Sequence, residues 1–109
     1  MRMYLGEFEQ LLLLAILQLA PDEAYGTRIR AEIERRTGRV VAPGAIYTAL
    51  ERLERRGVVR SWLGDPTAQR GGKRKRHYQV LPAGAALLRR TQDALARMAR
   101  GLKPRREIS

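Results

Sequence analysis

Five cations fall within seven residues at Arg70-Gly71-Gly72-Lys73-Arg74-Lys75-Arg76, interrupted only by two glycines. Guanidinium and ammonium groups at this density suit phosphate oxygens, and glycine leaves the backbone free to follow a phosphate ridge. A second segment, Pro43-Gly44-Ala45-Ile46-Tyr47-Thr48, has small and polar residues at its leading end. Gly44 and Ala45 let a helix come close to a flat or grooved partner. The Tyr47 and Thr48 hydroxyls can reach phosphate oxygens or base edges, and Ala45 and the Thr48 methyl can touch a thymine methyl. Arg52 and Arg55 follow on the same stretch as further phosphate anchors.

Other chemistries are excluded by what is missing. The 109 residues contain no cysteine, which removes disulfide scaffolds, thiolate metal sites and a Cys nucleophile. His77 is the sole histidine, so a histidine-rich metal site and a two-histidine metalloprotease motif are ruled out. It adjoins four cations, which argues against a Ser/His/Asp triad and for an ordinary strand histidine. No phosphate-binding Gly-Lys-Ser/Thr loop occurs. The expectation is therefore a protein that is not an enzyme and needs no cofactor and no metal.

Charge points the same way. There are 22 Lys+Arg against 11 Asp+Glu, a net of +11. Residues 1–54 carry seven basic and eight acidic side chains, and residues 55–109 carry fifteen and three. A field this one-sided implies a polyanionic partner rather than solubility alone. The Glu pairs Glu7/Glu9, Glu32/Glu34 and Glu51/Glu54 sit amid arginines and read as solvated or paired. The apolar run Leu11–Leu17 follows Glu7 and Glu9 rather than a basic segment, and Pro21 closes it. It is too short for a membrane span, which needs roughly 18 apolar residues. The cytoplasm is the expected compartment, with no membrane partner.

The elements that must position these residues follow from periodicity. Leu5–Ala20 reads as a helix, apolar almost all round, whose full burial calls for a second chain. Pro21-Asp22 makes a turn. Tyr25–Thr37 is a second helix with Ile29 and Ile33 on its inner face and Gly38 as its stop. Pro43–Arg56 is the third, with proline at a first helical position, Ile46, Leu50 and Leu53 inward, and Gly57 at its exit. Val58–Leu63 and His77–Leu81 read as paired strands, with Trp62 and Tyr78 facing each other in packing roles and Gly64-Asp65-Pro66 turning between them. A last helix runs from Pro82 to about Gly101, and its Leu87, Thr91, Ala94/Leu95, Met98 and Leu102 lie close to a heptad seam.

Three helices followed by a hairpin with a basic tip is the order of a winged helix-turn-helix, a mainly α fold with a small β-hairpin (α+β). Residues 1–81 would form the winged-helix domain, 82–103 a C-terminal dimerisation helix and 104–109 a basic tail. In this architecture the third helix enters the major groove and the hairpin lies over the adjacent backbone or minor groove.

The strings Leu5-Gly6-Glu7-Phe8-Glu9, Ala24-Tyr25-Gly26, Pro43-Gly44-Ala45-Ile46-Tyr47-Thr48-Ala49-Leu50 and Leu53-Glu54-Arg55-Arg56-Gly57 resemble the PadR family of bacterial transcriptional regulators. So do Arg70–Tyr78 and Leu81-Pro82-Ala83-Gly84, and the resemblance spans roughly residues 4–90. It implies a homodimeric winged-helix repressor on a palindromic double-stranded DNA operator. It implies that Tyr25, Tyr47 and Thr48 face the DNA, with Lys73, Arg74, Lys75 and Arg76 as wing contacts. It further implies that the first and last helices build the dimer interface, here through Leu5, Phe8, Leu12, Leu87, Leu88, Leu95, Met98 and Leu102.

Two departures stand out. The family often has Ser or Thr before both Pro-Gly and Pro-Ala-Gly, where this chain has Ala42 and Leu81, each forgoing an N-cap worth about 1 kcal/mol. Some short relatives stack flat aromatic drugs on a Trp of the last helix, yet the only Trp here is Trp62, on the hairpin. A small-molecule inducer acting through the last helix fits the class, and the sequence identifies none. The competing readings are a nonspecific basic architectural or RNA-binding protein, and an adaptor whose last helix pairs with another protein.

Overall fold

The computed structural model describes residues 3–65 and 74–102. Helix α1 (Glu7–Gln18) is followed by a single 3-10 turn at Pro21–Glu23, then α2 (Gly26–Thr37) and α3 (Pro43–Arg55). Strands β1 (Val59–Leu63) and β2 (Arg76–Val80) form an antiparallel pair, and α4 (Pro82–Ala99) closes the order. The expected element order and types are all present, with ends shifted by one or two residues.

Each helix end has a local cause. At α1 the Gly6 N–H donates to Glu9 Oε1 at 2.7 Å, which satisfies a donor that the helix itself leaves free. At α2 the stop is Gly38 at φ +76°, whose N–H donates to the Glu34 carbonyl. Neither Ala42 nor Leu81 supplies a side-chain cap, as their residue types require. Backbone contacts hold those starts instead. Arg30 Nε donates to the Val41 carbonyl, and the Leu81 N–H donates to the Val58 carbonyl at 3.0 Å.

The core lies where α1, α2, α3 and the hairpin meet. Leu12, Leu13, Ile29, Ile46, Leu50, Leu53 and Val59 are its largest fully buried side chains. Helix α1 is sealed by its own chain along one face only, and Leu11 and Leu14 stay half-buried. Leu12, Leu13, Ala15 and Ile16 are covered by the chain's own α2, α3 and hairpin, while Leu17 stays exposed. Two charged groups are buried with partners. Glu9 takes a hydrogen bond from Arg56 Nη1 at 2.7 Å, which ties the start of α1 to the end of α3. Glu32 is held below the usual carboxylate range by hydrogen bonds from Arg36 and Arg35.

The hairpin register departs from expectation. Trp62 pairs with His77, not Tyr78, and Tyr78 lies opposite Ser61. Because side chains alternate faces along a strand, this one-residue difference sends Tyr78 into the core, 3% exposed, and leaves Trp62 half-buried on the other face. Trp62 instead stacks on the His77 ring, with centroids 5.7 Å apart and planes at 17°. On its other side β2 meets the segment before α2. Tyr25 bridges to His77, and the Tyr78 N–H donates to the Ala24 carbonyl at 2.9 Å.

Gly84 fixes where α4 leaves the domain. A Cβ placed there would lie 2.2 Å from the Val58 carbonyl oxygen. Glycine inside a helix ordinarily costs up to about 1 kcal/mol against alanine, so Gly84→Ala would normally stabilise. Here it should destabilise by about 2 kcal/mol through overpacking against backbone. Denaturant unfolding gives the sign directly, and a gain in stability would contradict the close approach.

Candidate nucleic-acid interface

Helix α3 has one sealed face and one open face. Ile46, Leu50 and Leu53 are at most 1% exposed, and they turn Gly44, Ala45, Tyr47, Thr48, Glu51, Arg52 and Arg55 outward. Gly44, Thr48, Glu51 and Arg55 follow one another at spacings of four, three and four, and so form a single stripe. Tyr47 lies on one flank of that stripe, against α2. A Cβ on Gly26 would come within 2.5 Å of the Tyr47 ring and hydroxyl, so this glycine makes the shelf on which the ring rests. Arg52 lies on the other flank, beside Gly6, Glu7, Phe8 and Glu9.

The hairpin is tied to α3 by a short polar chain. Arg76 Nη1 donates to Ser61 Oγ at 3.0 Å, and the Ser61 hydroxyl donates to the Glu54 carboxylate at 2.7 Å. The Glu54 charge is thus used within the protein. Below this chain, burial pushes the Tyr78 phenol above its usual range and keeps it neutral. Tyr47, Glu51, Glu54, Arg76 and Tyr78 line a cleft between α3 and β2.

The base of the wing is cationic and ordered by aromatic contacts. Lys75 Nζ sits 4.6 Å from the Tyr25 ring centre, and Tyr25 meets His77 edge-on at 5.6 Å. The His77 Nδ1–H donates to the Pro21 carbonyl at 3.2 Å. Arg60 Nε donates to Gln79, and its guanidinium lies 4.6 Å from the Trp62 ring. Arg74, Lys75 and Arg76 are exposed. Arg70 and Lys73, with Gly71 and Gly72, lie outside the described residues.

The predicted site residues divide accordingly. Gly44, Ala45, Tyr47, Thr48 and Arg52 share the open side of α3, and Arg74, Lys75 and Arg76 stand beside it at the wing base. Tyr25 is half-buried, with its ring engaged by Lys75 and His77. Among the residues expected at a dimer interface, Leu5, Leu12 and Leu88 are buried within this chain, so their side chains are not free to meet a second one. Phe8 is half-buried under the Arg39 guanidinium, and Leu87 packs at the core's edge. Leu95, Met98 and Leu102 face outward, at 58%, 81% and 59% exposure. Ser61, Glu54 and Gly26 carry positioning roles that composition alone does not mark, although the 44/48/51/55 spacing is visible in the sequence.

A three-helix core with a groove-sized open helix and an adjoining basic hairpin defines a winged-helix DNA-binding protein of the transcriptional-regulator class. Residues 13–90 match the model of the transcriptional regulator PadR-like family, and the chain belongs to that family, whose members are transcriptional regulators and not enzymes. It is 37% identical over 83 residues to transcriptional regulator Rv3488 of Mycobacterium tuberculosis, covering 74% of this chain and 71% of that one. It is 36% identical over 86 residues to an uncharacterized 37.1 kDa protein in transposon Tn4556 of Streptomyces fradiae. That match takes in 79% of this chain but only 23% of the much longer transposon protein. The fold is shared with a PadR family transcription regulator from Clostridium difficile R20291, at a TM-score of 0.68 and 22% identity, covering 85% of this chain and 91% of that one.

The shelf under Tyr47 can be tested without touching a polar group. Gly26→Ala should push the ring off α2, and because the ring edge is free to swing, stability should change by less than about 1 kcal/mol. Binding to duplex DNA should weaken while the melting temperature holds. Unchanged binding with a large loss of stability would show that Gly26 serves packing alone.

Proposed function

We propose that this chain is a homodimeric, sequence-specific repressor acting on double-stranded DNA in the cytoplasm. Two copies of α3 would enter successive major grooves about 34 Å apart on a palindromic operator. Gly44, Ala45 and Thr48 would meet base edges. Tyr25, Tyr47 and Arg52 would contact the flanking backbone or groove, and Arg70 and Lys73–Arg76 would anchor phosphates. Residues 1–81 would be the reading unit and 82–103 the dimerising one. The observation that carries the reading is the continuity of the open α3 face with the exposed cations of the wing base.

Dimerisation has its own support. Beyond Thr91 no described residue of α4 is buried, yet Leu95 and Met98 form an apolar stripe there, with the exposed Leu102 three residues past the helix end. Such a stripe on a projecting helix is covered in solution by another chain, and a second copy presents the same stripe. No helix among the described residues is long and apolar enough to cross a membrane.

Two experiments separate the parts of the proposal. Replacing Arg74, Lys75 and Arg76 with alanine should weaken binding to every duplex alike. It should also lower the slope of log affinity against log salt by about 0.9 for each phosphate that is no longer neutralised. Thr48→Ala should instead change which sequence is preferred. Equal weakening on all sequences from Thr48→Ala would favour a nonspecific architectural protein. Leu95→Glu should halve the mass in light scattering, and an unchanged mass would remove the α4 stripe from the interface.

A further inference from the structure

Glu51 is the one residue on the outward stripe of α3 that is chemically wrong for a polyanion. It is exposed, three residues after Thr48 and four before Arg55, on the side opposite Ile46, Leu50 and Leu53. It makes no hydrogen bond or ion pair among the described residues, whereas Glu54, three positions further along the helix, is engaged by Ser61. Arg55, at the i+4 position where an ion pair would form most readily, is not within salt-bridge reach of it. On a chain of net charge +11, this carboxylate stands on the binding face with no cation paired to it among the described residues.

We infer that Glu51 is a specificity-determining residue that accepts a hydrogen bond from the N4 amino group of a cytosine in the major groove. The inference rests on the reading of α3 as the groove-entering helix. A carboxylate is acceptor-only, so phosphates repel it, as do guanine O6 and N7 and thymine O4. The major groove offers it only two donors, the amino groups of adenine and cytosine. Adenine N6 sits beside the N7 lone pair, which repels the second carboxylate oxygen, whereas cytosine N4 is flanked by a C–H. Cytosine is therefore the base that fits. The same charge lowers affinity for DNA of any other sequence, so Glu51 widens the gap between the operator and bulk DNA from both sides.

The test selects bound duplexes from a randomised duplex pool with the full-length wild type, Glu51→Gln, Glu51→Ala and Thr48→Ala. Glutamine and alanine are good helix formers at an exposed site, and circular dichroism checks that the fold is kept. Wild type should enrich cytosine at one symmetric position in each half-site. Glu51→Gln should move that position toward adenine, since a carboxamide can both accept from N6 and donate to N7. Glu51→Ala should lose discrimination there by about 5- to 150-fold while binding random duplex more tightly. Unchanged base preference in both Glu51 variants, with uniformly tighter binding, would overturn the inference. If Thr48→Ala alters preference in that same experiment, the groove-reading role of α3 survives and only the Glu51 assignment falls. A wild type that enriches no sequence would overturn the regulator proposal and this inference together.

Discussion

The burial of one stripe on α3 governs the functional surface. Ile46, Leu50 and Leu53 are sealed in the core, and burying each such side chain contributes about 1.5–3 kcal/mol. Rotating the helix by one residue would expose that stripe and bury polar neighbours in its place. The outward residues are therefore fixed by what the inward ones demand. Both ends of the helix are also held from outside it. Arg30 grips the Val41 carbonyl at the entrance, and Arg56, at the exit, pairs with Glu9 across 47 positions of sequence.

The wing is positioned by the same helix. Glu54 on the flank of α3 accepts from Ser61 on β1, which accepts from Arg76 on β2. On the far side of β2, His77 is packed between Trp62 and Tyr25 and hydrogen-bonded to Pro21. The open face of α3 and the cations at the wing base thus belong to one tied arrangement. Beyond Thr91, by contrast, no described residue of α4 is buried by its own chain, which sets that end apart as the part free to meet another molecule.

Much of this arrangement is legible in the sequence, because it depends on local signals. Apolar spacing marks α2, α3 and α4, Gly38 and Gly57 mark helix exits, and Pro43 marks the start of α3. The open face of α3 follows from its closed one. What depends on tertiary contacts is not legible. The hairpin register cannot be read because the chain between Leu63 and Arg76 is too long to set it, and strand patterning alone gives Trp62 the wrong partner. Which face of α1 its own chain seals is hidden for a similar reason: an all-apolar helix does not announce which neighbour buries which side. Glu9 and Glu54 look like surface charges and are instead ties between elements. Gly26 and Gly84 carry no sign of the close approaches that require them.

Sequence reading on duplex DNA by a symmetric pair of these surfaces is open to direct test. The most direct measurement is a titration of the wild-type protein, across a salt series, against duplexes tiling the DNA upstream of its own gene, with scrambled duplexes alongside. A symmetric reader should saturate at two chains per duplex on one palindromic tile, well above scrambled DNA, with a steep salt dependence from the wing contacts. Equal affinity for every tile and every scrambled duplex, or saturation at one chain per site, would contradict it.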